Sequence, residues 1–205
     1  MDFAELLAKW NARVRLVGPG RLDVLVREQL VDALGFVPVL SDLPDQDFYD
    51  IGAGGGLPGL VLALAFPDRR FTLVEPIHKK TAFLSHAAAH LGLANVRVHT
   101  GRVEPDGRLS PPLRPAAPAR AAGAAAASWP TPTATFSRAT LAPAPWLATA
   151  RALLGPGGCV LIAVASDEAL PAEVRDDPRS TALGRWAWTV PATAAPRLVV
   201  ARRFL

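Results

Sequence analysis

The chain has 205 residues, 50% of them hydrophobic and 20% charged, which allows one well-buried core and is too short for two large domains. A formal net charge of +4 favours an anionic partner such as nucleic acid, while the single cysteine, Cys159, excludes a disulfide framework and a multi-cysteine zinc site. No apolar run is long enough for a membrane span, and the opening MDFAELLAKW lacks the basic n-region of a secretory signal, so a cytoplasmic protein with no membrane contact is expected.

Apolar residues at Phe3, Leu6, Leu7, Trp10, Val14 and Val17 recur with helical spacing, and residues 21–40 repeat the pattern as far as Pro38. Residues 1–46 therefore read as a short helical lead-in. The period then changes. Residues 47–53 read as a buried strand entering a glycine turn, 57–66 as a helix and 70–75 as a second strand ending on Glu75. A helix over 78–91 stops at Gly92, and a third strand covers 95–100. His86 and His90 share a helix face, but no HExxH arrangement surrounds them and no metal site is expected.

Residues 105–134 break the rhythm with a Pro/Ala-rich run that reads as a surface insertion. Strands at 135–138 and 159–166 flank a helix over 144–154, and strands at 186–190 and 197–204 lie close enough to form a hairpin. Strands alternating with helices predict a single α/β domain over 1–205. Its expected core is a Rossmann-like, mostly parallel, seven-stranded sheet with a C-terminal antiparallel hairpin. That layout is typical of class I methyltransferases.

The strongest local signal is Asp50-Ile51-Gly52-Ala53-Gly54-Gly55-Gly56-Leu57-Pro58-Gly59 at a strand-to-helix junction. Glycines let the backbone take positive φ and come close to a ligand, and the helix opened by Pro58 offers free N–H groups. Both DxGxGxG and GxGxxG can be read from this run, so the glycines alone fit S-adenosylmethionine or NAD. Glu75 is placed to take ribose hydroxyls of either cofactor. Asp50 stands where a carboxylate could meet the cationic amino group of a methionine moiety, which favours S-adenosylmethionine.

The run Asp50 to Leu60, then Leu73-Val74-Glu75-Pro76-Ile77-His78-Lys79-Lys80-Thr81-Ala82-Phe83-Leu84, then Leu93-Ala94-Asn95-Val96, Gly101-Arg102-Val103-Glu104 and Ser137-Arg138-Ala139 follow one another in order, with Lys9-Trp10-Asn11 upstream. Together they resemble the glucose-inhibited division protein B family, bacterial methyltransferases of guanine N7 in small-subunit ribosomal RNA. The resemblance implies S-adenosylmethionine as cofactor and ribosomal RNA or the small ribosomal subunit as partner. By position it places cofactor contacts on Gly52, Leu57, Val103, Glu104 and Arg138. Gly54 and Gly56 join them from the turn itself, and Arg138 is also the expected catalytic residue, beside the transferring methyl. A monomer is expected.

The chain departs from the family at Arg15-Leu16-Val17, Arg27-Glu28, Asp32-Ala33 and Ala165-Ser166, all on the expected acceptor side, and it begins close to Lys9-Trp10-Asn11. A methyltransferase with another acceptor, or a non-catalytic binder of the donor, fits the same residues. Arg13, Arg15, Arg21, Arg27, Lys79, Lys80, Arg108, Arg114 and Arg120 are candidate phosphate contacts. Cys159 opens an apolar strand and reads as core rather than as a nucleophile.

Overall fold

A computed structural model describes residues 2–18, 25–111, 131–138, 141–191 and 193–205. Helix α1 (Phe3–Val14) begins with a capping box: Asp2 accepts from the Glu5 backbone N–H, and the Glu5 side chain accepts from the backbone N–H of Asp2. It ends at Arg15, a left-handed residue with φ 48°. The Asn11 side chain then accepts from the backbone N–H groups of Leu16 and Val17 at 2.8 and 3.0 Å. That bend turns the chain toward the sheet.

The second lead-in helix is divided, where the spacing predicts one continuous element. A π-helical turn (Leu25–Leu30) runs into α2 (Val31–Leu34), and α3 (Phe36–Ser41) follows after Gly35. Gly35 lies against the Trp188 indole, which a Cβ there would strike.

The remaining elements are β1 (Asp47–Ile51), α4 (Gly59–Ala65), β2 (Arg70–Glu75), α5 (His78–His90), β3 (Val96–Thr100), β4 (Arg102–Val103) and β5 (Leu109–Ser110). After these come β6 (Ala134–Ser137), α6 (Pro143–Leu154), β7 (Cys159–Val164), α7 (Ala172–Arg175), β8 (Ser180–Val190) and β9 (Ala195–Phe204). Seven strands form one sheet in the order β3-β2-β1-β6-β7-β9-β8, with β9 antiparallel to both neighbours and the other pairs parallel. The predicted class and the C-terminal hairpin are both present. β8 begins at Ser180, earlier than its apolar pattern suggests, and a register shift between Ala182 and Gly184 interrupts its pairing.

Side-chain alternation sends Phe48, Phe71, Phe136 and Leu161 to one face, where they meet α1, α3, α4 and α5 through residues such as Leu6, Phe36, Leu60 and Phe83. Tyr49, Ile51, Val74, Val160 and Ile162 point to the other face and meet Trp146 and Leu147 of α6 and Val174 of α7. Phe48 stacks on Phe71 across neighbouring strands, with ring centroids 5.4 Å apart.

The predicted insertion starts too early. Residues 105–111 are not a free loop: β5 pairs antiparallel with β4, and Gly107 packs against the backbone of Ala152 in α6. Two-residue strands carry no periodicity that a sequence reading could find. Leu113, Arg114, Arg120 and Trp129 lie outside the described residues, as do Arg21 and the side chain of Arg27. Among the described residues, no helix is long and apolar enough to cross a membrane and no cluster of side chains could hold a metal ion.

Candidate functional site

Two of the hollows among the described residues open at the carboxyl ends of the strands, and Arg138 lines the second. The first, about 120 Å³, is lined by Ile51, Gly52, Val74, Pro76, Gly101, Arg102, Val103, Leu141 and Thr149. It sits beyond the carboxyl ends of β1, β2 and β3, the end of an open α/β sheet at which ligands bind. The second, about 360 Å³, includes Gln29, Asp32, Phe36, Arg138, Trp188 and Arg197.

The glycine turn is shaped for the first hollow. Gly52 has φ 76° and its N–H donates to the Val74 carbonyl at 2.8 Å, pinning the turn to β2. Gly54 donates its N–H to Glu75 Oε2 at 3.0 Å, and Ile77 donates to Oε1 at 3.0 Å. The buried Glu75 carboxylate is thus held by one backbone donor on each oxygen, leaving lone pairs for further donors. Gly55 answers to the lead-in: a Cβ there would crowd the Leu16 carbonyl at 3.2 Å and Val17 Cγ1 at 3.1 Å. Gly56, with φ 78°, packs beside Leu60, and Leu57 is buried in the core.

Asp50 lies elsewhere than the amino-group contact requires. It is fully buried beneath the turn, and its Oδ2 accepts from the Gly59 N–H at 3.1 Å. Its Oδ1 finds no partner among the described residues. Burial pushes the Asp50 carboxyl up to about 7, against the lowering effects of the Gly59 hydrogen bond and Arg138. The geometry makes it a brace between β1 and α4, with no surface for a ligand.

Val103 and Glu104 sit on the β4–β5 hairpin. Val103 lines the first hollow, while Glu104 is partly exposed, 3.6 Å from the Arg102 guanidinium. The Glu104 N–H donates to the Arg108 carbonyl at 2.8 Å and closes the hairpin. Behind it, His99 is buried, and burial holds its imidazole below the usual range. Pro76, Gly101, Arg102, Leu141 and Thr149 also line this hollow and were not singled out by the sequence reading. The Pro76 and Gly101-Arg102 positions flank the acid and the Val103-Glu104 pair, so adjacency to those motifs was the available signal.

Arg138 directly follows β6, and its guanidinium reaches toward the lead-in. Its Nη1 donates to Asp32 Oδ2 at 3.1 Å and its Nη2 to Gln29 Oε1 at 2.9 Å. Asp32, Gln29, Trp188 and Arg197 escaped the sequence reading as site residues. Asp32 was visible as a carboxylate within an otherwise apolar helical stretch. Among the expected phosphate contacts, Arg108 pairs with the side chain of Asp106 at 2.7 Å. Burial pushes the Cys159 thiol up to about 12, as suits a core residue and not a nucleophile.

Comparison with known proteins places this geometry. Ribosomal RNA small subunit methyltransferase G of Herminiimonas arsenicoxydans is 44% identical over 108 residues, covering 51% of this chain and 49% of that protein. The protein of the same name from Burkholderia mallei (strain NCTC 10229) is 44% identical over 105 residues, covering 51% of this chain and 46% of its own length. The chain thus spans about half the length of the curated relatives it matches. A SAM dependent methyltransferase from Aquifex aeolicus shares the fold over 100% of both chains, with TM-score 0.56 and 14% identity. TrmN from Thermus thermophilus shares it over 84% of this chain and 48% of that one, with TM-score 0.53 and 15% identity. The family model of GidB, rRNA small subunit methyltransferase G, matches residues 1–124, which hold the lead-in, the glycine turn, Glu75 and the β4–β5 hairpin. The chain belongs to that family.

Proposed function

We propose that the chain transfers a methyl group from S-adenosylmethionine to guanine N7 of small-subunit ribosomal RNA, acting as a monomer in the cytoplasm. The observation that carries this reading is the first hollow: a purine-sized space between the glycine turn and the β4–β5 hairpin, flanked by a fixed carboxylate, in a chain of this family. Gly52 and Val103 would face the adenine, Gly54 and Gly56 shape the turn around the donor, and Glu75 would accept from the ribose hydroxyls. Leu57 would contribute through its backbone, since its side chain is core. Glu104 would accept from the adenine amine, and Asp50 would act from below by holding the turn to α4.

When bound, S-adenosylmethionine supplies a methyl group made electrophilic by its sulfonium. Guanine N7 carries an in-plane lone pair and no proton, so the protein need not supply a general base. Its contribution is alignment, exclusion of water and placement of charge. The second hollow suits that role: Arg138 and Arg197 place two guanidiniums on its wall, whose donors can hold guanine O6.

The test is methyl transfer from labelled donor to small ribosomal subunits from cells lacking this protein, followed by identification of the modified nucleoside. Labelled 7-methylguanosine is the expected product. Label on another base, or on protein, would replace the acceptor. Donor binding without any transfer would leave a non-catalytic binder.

A further inference from the structure

The second hollow is built around one carboxylate. Gln29 and Asp32 are three residues apart, so adjacent helical turns aim both side chains the same way. Together they take the two terminal nitrogens of Arg138. The other Asp32 oxygen, Oδ1, accepts from Arg197 Nε at 3.2 Å and from the Trp188 indole N–H at 3.2 Å. Asp32 is only 5% exposed, whereas Arg138 and Arg197 reach into the hollow from the end of β6 and from β9. The strand between them, β7, ends there on Ala163, Val164 and Ala165, whose small side chains leave room.

Two guanidiniums facing one space repel each other and would swing outward on flexible stems. The carboxylate between them offsets that repulsion and fixes both forks. One negative charge against two positive ones leaves the wall net cationic, and each guanidinium keeps donors not engaged by Asp32.

Building on the methyl-transfer reading, we propose that Asp32 is the positioning residue of the acceptor site. It gathers Arg138, Arg197 and Trp188 from three strands so that both guanidiniums present fixed donors to an electron-rich base. It touches neither donor nor acceptor and acts through the two arginines.

A double-mutant cycle on the full chain separates this from a merely structural ion pair. With small ribosomal subunits from cells lacking the protein as substrate, Asp32→Asn should lower kcat by about thirtyfold or more while changing adenosylhomocysteine affinity by less than about threefold. The double variant Asp32→Asn with Arg138→Lys should be scarcely slower than Arg138→Lys alone, because both changes disable one device. Losses that multiply would overturn the proposal. A second measurement needs no RNA. Exchange protection of the Trp188 indole N–H and the Arg197 Nε–H should fall together in Asp32→Ala, and unchanged protection would overturn the anchor itself. A wild-type chain that transfers no methyl group overturns the reaction and with it the acceptor role. Loss of protection in Asp32→Ala would still support the anchor in that case.

Discussion

The proposed donor and acceptor sides of this sheet are fastened by opposite means. Around the first hollow the ties are local and use backbone: Gly52 to Val74, Gly54 and Ile77 to Glu75, and Gly59 to Asp50, all within 28 residues of chain numbered 50–77. Around the second hollow they are distant and use side chains: Asp32 meets Arg138, Trp188 and Arg197, partners 106, 156 and 165 residues away. The glycine turn and its acid form one continuous segment, although Gly101, Val103, Leu141 and Thr149 close the hollow from outside it. A site made from four separated segments changes when any one of them does. Two of the expected departures from the family, Ala33 beside the retained Asp32 and Ala165-Ser166, fall on the second kind.

The largest effect should come from breaking the donor side at its acid. Glu75→Ala frees the Gly54 and Ile77 N–H groups and, on the proposed reading, removes charge-assisted hydrogen bonds to the ribose. Calorimetry should show adenosylhomocysteine affinity falling by roughly 2–4 kcal/mol. Unchanged affinity would place the ribose elsewhere. On the acceptor side, Arg138→Lys keeps the charge and loses the fork that meets both Asp32 and Gln29. Turnover on RNA should drop by about thirtyfold, with the thermal midpoint lowered by only a few degrees.

A third expectation concerns pH. The Asp50 carboxyl ordinarily titrates at 3.8 and is raised to about 7 in the folded chain. The fold's preference for the neutral form is therefore fully present below about pH 4. It is lost as pH rises through about 7, because the unfolded chain has by then already released this proton. Urea titrations between these limits should show stability falling with pH, and Asp50→Asn should flatten that slope. A slope unchanged in the variant would assign it to another group.

The smallest effect should follow from replacing residues 112–130 with a short Gly/Ser bridge: donor affinity unchanged and a thermal midpoint within about 3 °C. Extending the deletion back to residue 105 removes β5 and uncovers the hollow beside Val103, and donor binding should then be lost. If the shorter deletion already abolishes binding, the donor side depends on a distant segment and the contrast between the two sides fails.

These contrasts also explain what could be read before the structure. The strands and the helices over 57–66, 78–91 and 144–154 were legible because each carries a sustained apolar period, and the turn because glycines, Pro58 and Glu75 lie within one short stretch. The divided helix at 25–41 was not, since its apolar spacing runs on through Gly35, and the Trp188 indole that leaves no room for a side chain there comes from far along the chain. Asp50 was legible as important, although its spacing from the glycines says nothing about which way its side chain faces. The Asp32 assembly had no local signature, because a charge on an apolar helix face does not name its partners.

The same arrangement sets an order on how the protein is made. Chain synthesis runs from the N-terminus, and contacts distant in sequence close late. The Glu75 cradle is complete once Ile77 has been added, although β1 still awaits β6 on its other side. Asp32, by contrast, waits through most of translation for Trp188 and Arg197. A nascent or C-terminally truncated chain would therefore own its Glu75 cradle before the Asp32 assembly could close.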